Sequence, residues 1–192
     1  MCEVESAIKF FNISPLICVC RPFSLKVPVF PQVTLLLLGL YQESIMLFRE
    51  AVELDPECYI WALKRGIVAG RLQRRLKETN GELDILEALD LEQEIYLLRA
   101  KELSDGKSHS PLIHLALAYY WRGQDIKSND LLEKAEKLMM EAYEMCPKSV
   151  VVLLTLGKIL VKINRKKHEK FAETCLLQAH ELDPNNTMAL HR

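Results

Sequence analysis

The residues of this 192-residue chain best suited to chemistry are its five histidines, its six cysteines and its lysines and arginines. His109, His114, His168, His180 and His191 make no zinc pair, because the run that follows His168 (Glu169, Lys170, Phe171, Ala172) lacks the second histidine that such a helical site needs. Cys2, Cys18, Cys20, Cys58, Cys146 and Cys175 follow no zinc or redox spacing, so reduced thiols of a cytosolic protein are the plain reading. Ser104, Ser108 and Ser110 occupy no nucleophile elbow, and the glycines are too scattered to cradle a phosphate. The expectation is a chain without catalytic activity, metal or cofactor.

What remains is a set of cations and aromatic residues at helical spacing. Residues three or four apart share one face of a helix. If a small residue of each helix packs inward, the positions one and five later share a face that looks into a groove: Ile67 and Arg71, Leu117 and Trp121, Lys158 and Lys162. Lys64 and His114 lie one turn earlier, and Tyr120 stands beside Trp121. A groove with these nine residues is basic and aromatic, fit to grip an anionic partner and to stack a planar group. Both single-stranded nucleic acid and an acidic peptide answer that description. The plainer alternative makes Tyr120 and Trp121 hairpin packing and the lysines a solvated face, with Arg71, Arg74, Arg75 and Lys77 a charged helix end.

These residues need helices to position them, and the chain supplies helices almost throughout after Leu35. In the stretch from Gly39 to Pro56, Ile45, Phe48, Ala51 and Val52 recur on one stripe while Glu43, Arg49, Glu50 and Glu53 lie away from it. Pro56 biases Asp55 out of the helical region and ends the segment. The next stretch, residues 57–76, sets Trp61, Ile67 and Val68 among Ala62, Gly66, Ala69 and Gly70, small residues that let a neighbouring helix approach closely. Residues 77–81 read as a break, 82–93 as a further helix, and 94–104 as another with Ile95, Leu98 and Leu103 on its apolar side. Pro111 is placed to start the helix that follows.

By contrast residues 1–34 carry prolines at 15, 22, 28 and 31, which deny them any long helix, and are expected to be irregular. Their apolar runs fit neither a secretory signal nor a membrane span. A formal net charge of -1 gives no global pull toward nucleic acid or anionic membrane, so any polyanion site must be a local basic patch.

The segment from Pro111 to Gly123 spaces Leu115, Ala116, Tyr119 and Gly123 as leucine, small residue, tyrosine and glycine, and Met139, Ala142 and Pro147 close the unit. Leu153, Leu156, Gly157 and Leu160, then Ala172, Leu176, Ala179 and Pro184, repeat it. In these motifs the chain resembles the tetratricopeptide repeat family, whose helix-turn-helix units recur at about 34 residues. The resemblance spans residues 35–192. It implies an all-α, right-handed superhelical solenoid of helical hairpins, about three and a half repeats long, that binds a partner in its concave groove. Two departures are visible: an insertion of roughly 20 residues around 72–91 in the second unit, and a helix over 126–145 about two turns longer than its first counterpart. Both ends look cut through the middle of an array, as in a fragment.

Within that family, the positions at which chaperone-binding members hold a C-terminal carboxylate carry Leu63, Ile67, His114 and Leu117, so that clamp is absent. The segment from Trp61 to Leu72 is closer to the interferon-induced proteins with tetratricopeptide repeats. That likeness implies a cytoplasmic role in antiviral innate defence, with Arg71 on the phosphates of an RNA 5′ end (triphosphate or capped) and Ile67 on the apolar wall beside it. Lys158 and Lys162 would be further basic groove residues, though Leu154 and Val161 stand where tyrosines are expected. The alternative partner is a peptide or helix bound by a protein-protein adaptor. No membrane partner is implied, and exposed repeat ends would allow homo-oligomers.

Overall fold

The computed structural model of the chain describes residues 39–163 and 168–184. Seven helices follow one another with no strand among the described residues: α1 (Tyr41–Leu54), α2 (Tyr59–Glu78), α3 (Leu83–Ser104), α4 (Ser110–Asp125), α5 (Asn129–Met145), α6 (Val150–Ile163) and α7 (Glu169–Leu182). The expectations for residues 1–34, and for a helix starting after Pro184, lie outside the described residues.

Each helix packs against its successor, and the first helices of successive hairpins also touch, α2 with α4 and α4 with α6. That is the arrangement of an all-helical repeat solenoid, in which each hairpin leaves an apolar side that the next one covers. In α1 the stripe read from the sequence is the buried one: Ile45, Phe48, Ala51 and Val52 face inward, and Phe48 meets Trp61 of α2 with ring centroids 6.3 Å apart. From α2 onward one apolar core runs through Leu97, Leu115, Met139, Leu153 and Leu156 to Cys175. Fully burying a side chain of this size contributes about 1.5–3 kcal/mol, so the stacking of hairpins carries the stability.

Two glycines set how closely the arms of a hairpin approach. A Cβ on Gly66 would lie 2.7 Å from Cγ of Leu97 and 3.2 Å from the Gln93 carbonyl oxygen; on Gly157 it would lie 2.7 Å from Cγ of Leu176 and 3.3 Å from the Ala172 carbonyl oxygen. The α2–α3 and α6–α7 hairpins thus use one contact, a leucine and the carbonyl four residues before it laid over a glycine. Their lengths differ: α2 and α3 have 20 and 22 residues, α6 and α7 have 14 each. The insertion expected around 72–91 is absorbed by lengthening both arms of one hairpin.

Four expectations are corrected. The stretch expected as two helices forms one, Leu83–Ser104, because no glycine or proline interrupts it. In that helix Leu89, Leu97, Ala100 and Ser104 turn inward, whereas Ile95 and Leu98 are exposed, since the seating of Leu97 over Gly66 fixes the phase. The helix expected over 126–145 begins only at Asn129 and has 17 residues against 14 in α1, so it is about one turn longer rather than two. Ile126 caps α4, Lys127 takes a left-handed conformation with φ of 54°, and the Ser128 N–H donates to the Gly123 carbonyl at 2.9 Å. A Schellman closure consumes those three residues. The α2 helix ends the same way, with Asn80 left-handed and the Gly81 N–H donating to the Leu76 carbonyl at 2.8 Å, so the break expected at 77–81 starts only at Thr79.

Candidate functional site

The groove between α2 and α4 follows from their periodicities. Along α2, Ile67, Arg71 and Arg74 fall on one face; along α4, His114, Leu117, Trp121 and Arg122 do. Together with Asp90 and Gln93 of α3 they line an open pocket of about 540 Å³. Five of the nine residues expected in a groove are therefore brought together: Ile67, Arg71, His114, Leu117 and Trp121. Lys64 sits on the same side of α2, close enough to Arg71 and His114 to act on both electrostatically. Tyr120 is instead buried and meets the Trp121 ring edge-on, with centroids 5.1 Å apart. Lys158 and Lys162 belong to α6 and do not line this pocket.

The charges at the two ends of the groove are handled differently. At one end Lys64, Arg71 and Arg74 crowd together. Burial and the charge of Arg71 both lower the affinity of Lys64 for its proton, and the same two causes lower that of Arg74. Facing them, His114 is held at a pKa of about 4, first by burial and then by Lys64, Arg71 and Arg74, so its ring is neutral at neutral pH. Neither Lys64 nor Arg71 has a carboxylate partner among the described residues. At the other end Lys77 Nζ meets Asp125 Oδ2 at 2.6 Å and Arg122 Nη1 meets Glu94 Oε2 at 2.7 Å, while Asp90 has no ion pair among the described residues. Glu94 also accepts the Tyr119 hydroxyl at 2.8 Å, and burial together with that carboxylate pushes the phenol up to about 12. Burial raises Asp90, against the pull of Arg122 and Lys77.

The arrangement therefore combines two cations without a carboxylate partner among the described residues, Lys64 and Arg71, beside Arg74, whose Nε donates to the Gly70 carbonyl at 3.2 Å and whose charge is partly offset by Glu78, with an apolar wall of Ile67 and Leu117 and with Trp121, 49% exposed. It offers binding chemistry. Among the described residues no group of three or more histidine, cysteine or acidic side chains could hold a metal ion, and no helix is long and apolar enough to cross a membrane. Arg74, Arg122, Asp90 and Gln93 line the groove but are not among the nine residues that the sequence singles out. Arg74 reads there as part of a charged helix end, although its spacing from Ile67 and Arg71 is an available signal. Gln93 comes from α3, and nothing local in sequence pairs it with α2.

A second, partly buried polar cluster ties α1 to this region. Glu92 of α3 accepts from Arg49 Nε at 3.1 Å, from Arg49 Nη2 at 2.6 Å and from Arg65 Nε at 2.8 Å. The Arg65 guanidinium in turn lies 3.7 Å from the centre of the Tyr96 ring.

Residues 33–58 match the tetratricopeptide repeat family model. Among solved structures, a thermophilic tetratricopeptide repeat protein of Thermus thermophilus superposes with a TM-score of 0.68 at 15% identity, over 83% of this chain and 74% of that one. A structure described as MamA RS-1 ArsTM double mutant gives a TM-score of 0.56 at 20% identity, over 80% of this chain and 71% of that one. No curated protein matches the chain. The family-model match covers one repeat, and the solved structures share the all-helical repeat fold.

Proposed function

We propose that this chain is a non-catalytic scaffold whose groove takes the phosphorylated 5′ end of a single RNA strand, serving in the cytoplasm in defence against foreign RNA. The observation that carries the reading is the charge imbalance at the Lys64, Arg71 and Arg74 end of the groove, where cations repel one another with no acid paired to Arg71 or Lys64 among the described residues. An arriving phosphate relieves that repulsion. Trp121, half-exposed in the same groove, offers a face for the first base, worth about 1–3 kcal/mol when a base stacks on it. Ile67 and Leu117 supply the apolar wall between them.

A second reading, an adaptor for an acidic peptide, is favoured by Lys158 and Lys162 not lining this pocket: the cations here form a cluster rather than a track along a strand. A mobility-shift titration separates the two. RNA with a 5′-triphosphate is expected to shift at low salt and RNA with a 5′-hydroxyl only weakly, with Arg71→Glu abolishing the difference. If three phosphates are neutralised, log K falls with log salt at a slope of about −2. No shift at low salt, or one indifferent to Arg71→Glu, overturns the RNA reading, and nuclease-resistant capture of an acidic peptide supports the adaptor.

A further inference from the structure

We propose that the solvent-facing ridge of α3 is a docking site for a basic amphipathic helix of another protein. Ala88, Leu91, Ile95 and Leu98 recur at alternating three- and four-residue steps, which places them on one line along the helix. All four are exposed, with Leu91 59%, Ile95 48% and Leu98 38% accessible. In the same register α5 carries Asp130, Glu133, Lys137 and Met140, the last partly buried against the core, so the run of four exposed apolar residues is particular to α3. Alternation of this kind is the seam of a two-stranded coiled coil, here with Ile95 at an a position and Leu91 and Leu98 at d positions. From Ala88 to Leu98 the ridge is about 15 Å long, some three turns of a partner helix.

Charge selects the occupant. Asp84 and Glu102 continue the same line one turn before and after the apolar residues, and Glu87 flanks it; none of the three has an ion-pair partner among the described residues. The neighbouring cations are engaged, since Arg99 Nη2 donates to the Pro56 carbonyl at 3.0 Å and Lys101 Nζ to Glu141 at 2.8 Å. A second copy of this chain fits poorly. Set parallel it would lay Asp84 on Asp84, and set antiparallel Asp84 on Glu102. A partner helix with an apolar seam and lysine or arginine at its flanks meets both the ridge and its carboxylates. The ridge shares no residue with the groove, so the two readings stand separately.

The test uses the full chain and two fluorescein-labelled synthetic helices with the same leucine and isoleucine seam, one flanked by lysine and one by glutamate, followed by anisotropy. The basic peptide is expected to bind saturably and at least tenfold more tightly than its acidic twin. Ile95→Asp or Leu98→Asp should weaken it at least tenfold while circular dichroism stays unchanged, because both side chains face water. Lys137→Ser on α5 should leave it within twofold. Replacing Asp84, Glu87 and Glu102 together by lysine should reverse the preference. Equal binding of both peptides, or a basic-peptide Kd untouched by Ile95→Asp, overturns the proposal. So does sedimentation equilibrium showing a dimer that Ile95→Asp dissolves, since the occupant would then be a second copy.

Discussion

Replacing Gly66 by alanine tests whether the close approach of α2 and α3 sets the geometry of the groove beside it. In an open helix the change would stabilise by about 1 kcal/mol, because alanine is the better helix former. Here the new methyl carbon would stand 2.7 Å from Cγ and 2.9 Å from Cδ2 of Leu97, well inside the usual 3.5–4.0 Å of carbon contact. Leu97 is fully buried and cannot swing away, and the Gln93 backbone carbonyl closes the other side at 3.2 Å. Overpacking of this kind costs about 1–3 kcal/mol, so Gly66→Ala should come out between neutral and about 2 kcal/mol less stable. Leu97→Ala alone should cost about 2–5 kcal/mol through lost burial and the cavity it leaves. In the double variant the added methyl occupies vacated space. The strain disappears, the helix preference remains, and the pair should be less destabilised than the sum by about 1–3 kcal/mol. Urea unfolding followed by circular dichroism gives all four corners of the cycle. Additivity within about 0.5 kcal/mol, or a Gly66→Ala variant stabilised by the full ~1 kcal/mol, would refute the reasoning.

His114 refuses a proton in the folded chain until about pH 4, whereas its ordinary value is 6.5. Between those values the unfolded chain binds the proton that the folded chain excludes, so stability should fall by roughly 2–3 kcal/mol as pH drops from 6.5 to 4. His114→Gln should flatten that part of the pH–stability curve. Burial pushes the Glu92 carboxyl up, but hydrogen bonds from Arg49 and Arg65 more than reverse this and leave it below its ordinary 4.5. Its contribution is complete above pH 4.5 and is lost as pH falls through the lowered folded value. Glu92→Gln should cost about 1–3 kcal/mol near neutral pH and narrow that acid-induced loss, read from urea midpoints across pH. Tyr119→Phe removes the 2.8 Å bond to Glu94 and should cost about 1 kcal/mol in the same assay.

Much of this architecture is legible before any coordinates. The stripe of Ile45, Phe48, Ala51 and Val52 and the stop at Pro56 give α1, because helical periodicity and proline act locally. Gly66 marks a close helix contact because only a missing side chain admits Leu97 there. The phase of α3 is only partly local. Both Leu97 and Leu98 are apolar; the offset of Leu97 and Ala100 from Asp105, the same as that of Phe48 and Ala51 from Pro56, already favours Leu97, and docking over Gly66 puts it inside. The start of α5 is hidden for another reason, since Lys127 adopts a left-handed conformation that its residue type does not announce. At the groove, spacing along one helix brings Ile67 to Arg71 and His114 to Trp121. It could not show that Asp90 and Gln93 join them, which depends on how far the α2–α3 hairpin extends before it turns, nor that Tyr120 faces the packed layer.

Emission from Trp121 reports on the groove directly, once the buried Trp61 is replaced by phenylalanine to remove the second indole. Titration with a short 5′-triphosphorylated RNA at low salt should quench that emission saturably, and the quench should weaken as salt rises and vanish in Arg71→Glu. Emission unchanged across the titration, or quenched equally with Arg71 reversed, would contradict the assignment of the α2–α4 groove as an anion-binding site.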